Sequence, residues 1–458
     1  MCAIFGITGT NTAANSAFFG LHAMQHRGQE SAGIASHDGE LIHKVAGMGY
    51  VDDVFPDEKV LGTLTGKTAI GHTRYSTTGT SRLKNAQPFE IKCKHGRFAI
   101  AHNGNLTNTD ALRADLEGEG AIFQTESDTE VILHLYARAN ATNSQEAIIR
   151  ALTQVEGSYA LVMLTPDGLV AARDPRGFKP LVIGRLDDSW IVASETCALD
   201  ILEAKYVRDV ERGEIVFFTA NGMPKSIRPF GKLPPQAACI FEHVYFARPD
   251  SYIFGNASVS VHRQRFGYLL AKQSPADADI VAAVPDSGVH AALGFAEGSG
   301  LPYKVALTRN HYVGRTFINP SGDGRRIGVR MKLNPIRSVV EGKRIVLVDD
   351  SIVRGITSRK IVRLVKTAGA KEVHVRISCP PTIAPCHYGI DTPDFNELIA
   401  SSNSVEEICR FIEADSLAYL KLDATLAAVD GTEGGFCTAC YTGDYPVLPH
   451  GAIPLRPA

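Results

Sequence analysis

The chain has 458 residues, 44% hydrophobic and 21% charged, an ordinary globular balance with material for two to three domains. Its formal net charge of −2 excludes the strong positive field of a nucleic-acid-binding or membrane-surface protein. The opening MCAIFGITGT lacks a basic leader, and no apolar run approaches the ~20 residues a bilayer requires, so a cytoplasmic protein is expected. In that reducing compartment nine cysteines point to metal ligation or catalysis before disulfides.

The first predicted element is a strand, AIFGI, directly after Cys2. Removal of Met1 leaves Cys2 with a free α-amine that titrates near neutrality, so one residue supplies both nucleophile and base. An ordinary buried cysteine is the bland alternative. β-rich runs follow at FAIAHNG (98–104), SYALVML (158–164), LVIG (181–184) and WIVAS (190–194), with helical patterns over 128–140 and 144–154. Strands and helices in blocks predict a layered α+β domain. Between them lie polar, Gly-rich loops: HRGQESAGIA (26–35), GHTRYSTTG (71–79), HNGNL (102–106) and SDTE (127–130). Taken singly, Arg74 reads equally as a surface charge, Asp128 as a helix cap, and Asn103-Gly104 as a plain turn.

Together with Cys2, these motifs resemble the N-terminal-nucleophile glutaminase domain of the class II glutamine amidotransferases. The resemblance covers roughly residues 2–225 and implies a four-layer αββα sandwich. It implies that Cys2 attacks the glutamine side-chain amide, with Asn103 and Gly104 as oxyanion donors. Arg74 would clamp the substrate carboxylate and Asp128 its ammonium, while Arg27 and its loop would position the N-terminus at the glutamine site.

A Pro-rich stretch, RPFGKLPPQAAC (228–239), reads as a linker, giving domains over 2–230 and 231–458. Beyond it apolar strands alternate with helices, in DIVAAVPDSG, KRIVLVDDSIVRG, ITSRKIVRLVKTAG and KEVHVRISC, predicting an α/β domain with a parallel sheet. In VLVDDSIVRGITS (346–358) a buried strand ends in two acids, then a loop of small residues opens a helix. Orphan amides and the helix dipole bind phosphate at such a place, at the carboxyl end of a parallel strand. The string lacks the Walker spacing. It resembles the phosphoribosyl pyrophosphate (PRPP) motif of type I phosphoribosyltransferases. That resemblance implies Asp349 and Asp350 on the ribose hydroxyls and Mg²⁺, and Ser351, Ile352, Val353, Arg354, Gly355 and Thr357 around the 5′-phosphate. In VPDSG (284–288), Ser287 would meet the pyrophosphate and join the metal shell. The basic stretch 309–338 is implied to be a flap, with Arg309 and Lys332 as anion contacts.

Near the C-terminus, FCTACYTGDYP contains a C-x-x-C pair, Cys437 and Cys440. Cys239 and Cys386 lie in linker and Pro/Gly settings. Four thiolates hold zinc or an iron–sulfur cluster, and spacing does not decide between them. Cys93, Cys197, Cys379 and Cys409 lack such a setting and are expected in the core.

Both halves together resemble the glutamine phosphoribosylpyrophosphate amidotransferase family, in its iron–sulfur-containing branch. The resemblance implies transfer of glutamine-derived ammonia to PRPP, a [4Fe–4S] cluster on Cys239, Cys386, Cys437 and Cys440, purine nucleotides as feedback inhibitors and a homotetramer. A different class II amidotransferase, aminating a sugar phosphate or making asparagine, would lack DDSIVRGITS. A non-catalytic PRPP sensor would have no use for Cys2.

Overall fold

The computed structural model describes residues 1–75, 80–219, 222–255, 257–310, 333–429 and 435–449. The first half is built on two antiparallel sheets. One has seven strands, in the order Lys205–Asp209, Val182–Leu186, Ser189–Ala193, Ala3–Thr8, Thr68–Arg74, Ser31–His37 and Ile42–Met48. The other has six, in the order Lys225–Ile227, Ile215–Phe218, Gly168–Arg173, Gly157–Thr165, Gly96–Leu106 and Phe89–Cys93.

Strand alternation explains their stacking. Strand Ala3–Thr8 is buried at every position. Its Ile4 meets Ile70, Ala99, Ala101, Ala160 and Val162 between the sheets. The alternate residues Ala3, Phe5 and Ile7 pack with Ala13, Ala17 and Leu21 of helix Ala13–Ala23. On the far side Phe98, Ile100, Leu161 and Met163 pack against helices Thr129–Arg138 and Ser144–Leu152. The layers run helix, sheet, sheet, helix, as the resemblance implies.

The second half holds a parallel sheet in the order Ile280–Ala283, Arg344–Asp349, Glu372–Ile377 and Ser416–Tyr419. Ile345 to Val348 are fully buried, as a strand covered on both faces must be. Helices Val259–Gln273 and Val289–Ser299 cross where glycine removes the side chain. A Cβ on Gly267 would stand 1.8 Å from the Ala291 carbonyl oxygen, and one on Gly294 equally close to that of Gln264.

The halves are joined along the chain and across it. From Ala237 the linker is tied to both sides. The Ala237 N–H donates to Arg176 O at 2.9 Å and that of Cys239 to Phe178 O at 3.0 Å. Ala238–Cys239 pairs in parallel with Phe436–Cys437. Farther on, Asn105 Nδ2 donates to His387 O at 3.0 Å. Gly389 lies so near Gly104 that a Cβ there would be 2.7 Å from the Gly104 carbonyl oxygen.

Candidate active site

Cys2 stands at the head of a central strand. Its neighbour Thr68–Arg74 runs antiparallel with Ala3 opposite Thr73, which brings Arg74 beside Cys2. The Cys2 N–H donates to Asn103 Oδ1 at 3.2 Å, and Sγ lies 3.7 Å from the Tyr75 carbonyl oxygen. Asn103 is fully buried, yet its Nδ2 has no hydrogen-bond partner. A buried amide donor left unpaired is costly and marks a place where a ligand atom completes the bond. Gly104 follows at φ +154°, where a Cβ would stand 2.1 Å from Ser158 O, so only glycine fits beside Asn103.

Arg74 is buried, donates to Thr80 O at 3.2 Å and lies 3.8 Å from Glu30 Oε2. Asp128 begins helix Thr129–Arg138 without capping it. Its Oδ2 instead accepts the Leu106 N–H at 2.9 Å and lies 3.6 Å from His102 Nδ1. Burial alone would raise this carboxyl, but the His102 charge and hydrogen bond outweigh it and hold it below the usual range. Burial likewise works against protonation of His102, and Asp128 more than reverses that. His102 lies within the HNGNL motif, but nothing in that string distinguishes it from a strand residue.

Arg27 lies beneath Cys2 with no exposed surface. Its Nε donates to the Cys2 carbonyl oxygen at 3.0 Å. Its Nη1 and Nη2 grip Glu242 at 3.0 and 2.8 Å, and Nη1 also meets Glu195. Arg27 thus holds the N-terminus, and its nitrogens are engaged by protein partners rather than turned to a substrate. Burial penalises its charge, but the two carboxylates raise its pKa above the ordinary value. Met1 is wedged at the same place, 1% exposed, with its Sδ 2.9 Å from Lys179 Nζ.

The strands Ile280–Ala283 and Arg344–Asp349 are adjacent and parallel, so their carboxyl-end loops emerge side by side. Between them opens a cavity of about 380 Å³, lined by Ser287, Asp349, Asp350, Ser351, Val353 and Thr357. Gly355 adopts φ +73° and opens helix Ile356–Thr367, whose first turn faces the loop. Burial, reinforced by Asp350, pushes the Asp349 carboxyl well up, while a hydrogen bond from Ser287 opposes it. Crowded buried carboxylates suit a site completed by a divalent cation. Ile352 is buried beneath the loop, and the Arg354 side chain turns outward to Glu397, 2.7 Å away. Arg309 pairs with Asp286, the residue before the lining Ser287, and Lys332 lies outside the described residues. The first half contributes Tyr75 to this cavity, the residue whose carbonyl faces Cys2 Sγ.

Residues 72–201 match a family model described as a glutamine amidotransferase domain. The chain is 52% identical over 98% of its length to "Amidophosphoribosyltransferase 1, chloroplastic" of Arabidopsis thaliana, covering 79% of that protein. It is 50% identical to the amidophosphoribosyltransferase of Archaeoglobus fulgidus, with 98% of each chain covered. The chain belongs to the amidophosphoribosyltransferase family. The solved structure of the Bacillus subtilis glutamine PRPP amidotransferase, complexed with ADP and GMP, superposes at a TM-score of 0.91 with 46% identity. It is covered over its full length by 98% of this chain. A second, described as the allosteric regulatory enzyme of purine biosynthesis, gives 0.92 at the same identity, with 98% of each chain covered.

In this amidophosphoribosyltransferase four of the nine cysteines converge where the halves meet. Cys239 lies in register with Cys437, and Cys386 and Cys440 pack on the same core. Burial pushes the Cys239 thiol up to about 11 and those of Cys437 and Cys440 higher, with neighbouring thiols adding to each. Buried thiols of this kind ionise when a metal charge compensates them. Among the described residues no three or more Cys, His, Asp or Glu side chains are gathered tightly enough for one metal ion. A tetrahedral zinc needs its sulfurs ~2.3 Å from a single point. Of the remaining cysteines Cys197 and Cys379 are buried, and Cys93 and Cys409 are half-buried.

Proposed function

We propose that the chain catalyses the glutamine-dependent amination of PRPP to 5-phosphoribosylamine, releasing glutamate and pyrophosphate, the first committed step of purine biosynthesis. The observation that carries this is Tyr75, which faces Cys2 Sγ through its carbonyl and lines the acceptor cavity through the same residue. Donor and acceptor chemistry therefore share a wall.

With Met1 removed, the Cys2 amine takes the thiol proton as Sγ attacks the glutamine amide carbon. The free Asn103 Nδ2 and the backbone at Gly104 stabilise the oxyanion. Collapse gives a thioester and ammonia, and water then releases glutamate. Arg74 and Asp128 hold the α-carboxylate and α-ammonium of glutamine. Ammonia crosses past Tyr75 and attacks the anomeric carbon of PRPP, displacing pyrophosphate, with the 5′-phosphate held by the loop from Ser351 to Thr357. A Mg²⁺ held by Asp349, Asp350 and Ser287 would supply positive charge to the departing pyrophosphate. Cys239, Cys386, Cys437 and Cys440 would hold a [4Fe–4S] cluster with a structural role. Inhibition by purine nucleotides, a homotetramer and a cytoplasmic location complete the reading; the nucleotides bound to the B. subtilis relative support the first of these.

The test is pyrophosphate release from PRPP with Mg²⁺, with and without glutamine. Release that requires glutamine and yields equal glutamate is expected. Glutamate without pyrophosphate would refute the acceptor, and the absence of both products would refute the reading.

A further inference from the structure

The short helical segment Glu242–Phe246 belongs to the second half by sequence, yet one of its side chains reaches under the nucleophile. Glu242 is fully buried and accepts both Arg27 terminal nitrogens, at 3.0 and 2.8 Å. Arg27 in turn holds the Cys2 carbonyl oxygen through Nε. The other partner of Arg27, Glu195, comes from the first half and is itself held by His26, the Arg248 N–H and the Ser251 hydroxyl. The segment's far end faces the acceptor side: Tyr245 and Phe246, with Phe241 just before the segment, line the cavity that contains Asp349 and Asp350. Arg263 fixes it from there, donating to His243 O and Ala247 O at 2.8 Å each; burial draws its pKa down to about 10, with Asp350 opposing.

We propose that Glu242 is a positioning residue for the glutaminase nucleophile, supplied by the acceptor half and acting through Arg27 on the backbone of Cys2. The inference rests on the functional reading above. A bidentate carboxylate fixes the plane of the guanidinium, so Nε can present its hydrogen to Cys2 in one orientation only. Without Glu242 the guanidinium keeps Glu195 but can pivot about it. Cys2, just ahead of its strand, then loses the one contact in this network that restrains its carbonyl. Displacements of about 1 Å at a nucleophile cost up to ~100-fold in rate. No change in the acceptor loop is required for this loss.

The test compares Glu242→Gln and Glu242→Asp with the parent enzyme in two assays: glutamine hydrolysis, and phosphoribosylamine formation from PRPP and ammonium chloride. For Glu242→Gln, kcat for hydrolysis is expected to fall by roughly tenfold to a hundredfold. Its KM for glutamine and its ammonium-driven rate should stay within about twofold of the parent, the spread of one modest contact. Alkylation of Cys2 by a diazoketone analogue of glutamine should slow in step with kcat, and Glu242→Asp, which keeps the charge, should recover part of both. Unchanged hydrolysis would overturn the proposal. So would a parallel fall in the ammonium-driven rate, the mark of a merely structural role, or a rise confined to KM. A parent enzyme that makes no product from ammonium would instead overturn the functional reading on which the proposal stands.

Discussion

At the scale of single residues, the chemistry turns on Cys2 having a neutral amine next to its thiol. The compartment at the chain start favours this. The Met1 amine, wholly buried there, is drawn down to about 5, first by burial and then by Lys179 and Arg27, with Cys2 and Glu242 opposing. An amine acting as base must be unprotonated, so its rate falls as pH drops through its pKa, and a lowered pKa moves that limb to lower pH. Glutamine hydrolysis by the enzyme with Cys2 at its N-terminus is therefore expected to keep its half-maximal rate below the ordinary α-amine value of about 7.7. A pH–rate profile whose acid limb lies at or above that value would contradict this. Replacing the thiol separates the two reactions. Cys2→Ala should lose glutamine-driven product formation by at least a thousandfold, the scale of losing a nucleophile, and retain formation driven by ammonium chloride.

At the scale of elements, the strand Gly96–Leu106 carries Asn103 and Gly104, the proposed oxyanion donors, and Gly104 lets it pass Ser158. Gly104→Ala places a methyl 2.1 Å from the Ser158 oxygen, so the strand must shift. Overpacking of this kind costs ~1–3 kcal/mol. A lower thermal midpoint is expected, together with a loss of glutamine hydrolysis on the order of a hundredfold, comparable to removing one oxyanion donor. Wild-type hydrolysis in that variant would remove Gly104 from the site. The strands themselves were legible in the sequence, because runs such as SYALVML and RIVLVD have one reading at their length. The helix Ala13–Ala23 was not: AANSAFFGLHA mixes small and apolar residues without a clean period, and no side chain caps its start. Strand Ser416–Tyr419 carries little sequence signal, being four residues long and only partly buried. The residues Cys2, Arg74, Asn103, Asp128, Asp349 and Asp350 stand out in the sequence because each lies in a short distinctive string at or near the end of a strand or helix. Glu242 does not. It lies in an apolar run, IFEHVYF, and its partner Arg27 is 215 residues away.

At the scale of the whole molecule, the cysteine quartet and the loop that carries Cys386 lie against the glutaminase. Gly389 presses on Gly104, and His387 accepts from Asn105. Loss of one of the proposed cluster ligands should therefore be felt in the other half. Cys437→Ser is expected to fall from about four irons per chain to well below one, to melt at lower temperature and to hydrolyse glutamine more slowly than the parent. Full iron content in this variant would rule Cys437 out as a ligand, and zinc at one per chain in the parent would rule out the cluster.

The burial of Met1 also sets an order of events during synthesis. Its side chain is 1% exposed and packed in the same core as Ile240, Phe241 and Tyr441. A peptidase needs an extended, reachable end, and the finished fold offers none. Elongation at about 5–20 residues per second brings the segment near residue 240 out roughly ten seconds or more after Met1. On the proposed mechanism, trimming of Met1 belongs to that interval and competes with folding, and a chain that closes first would seal its own blocking residue inside.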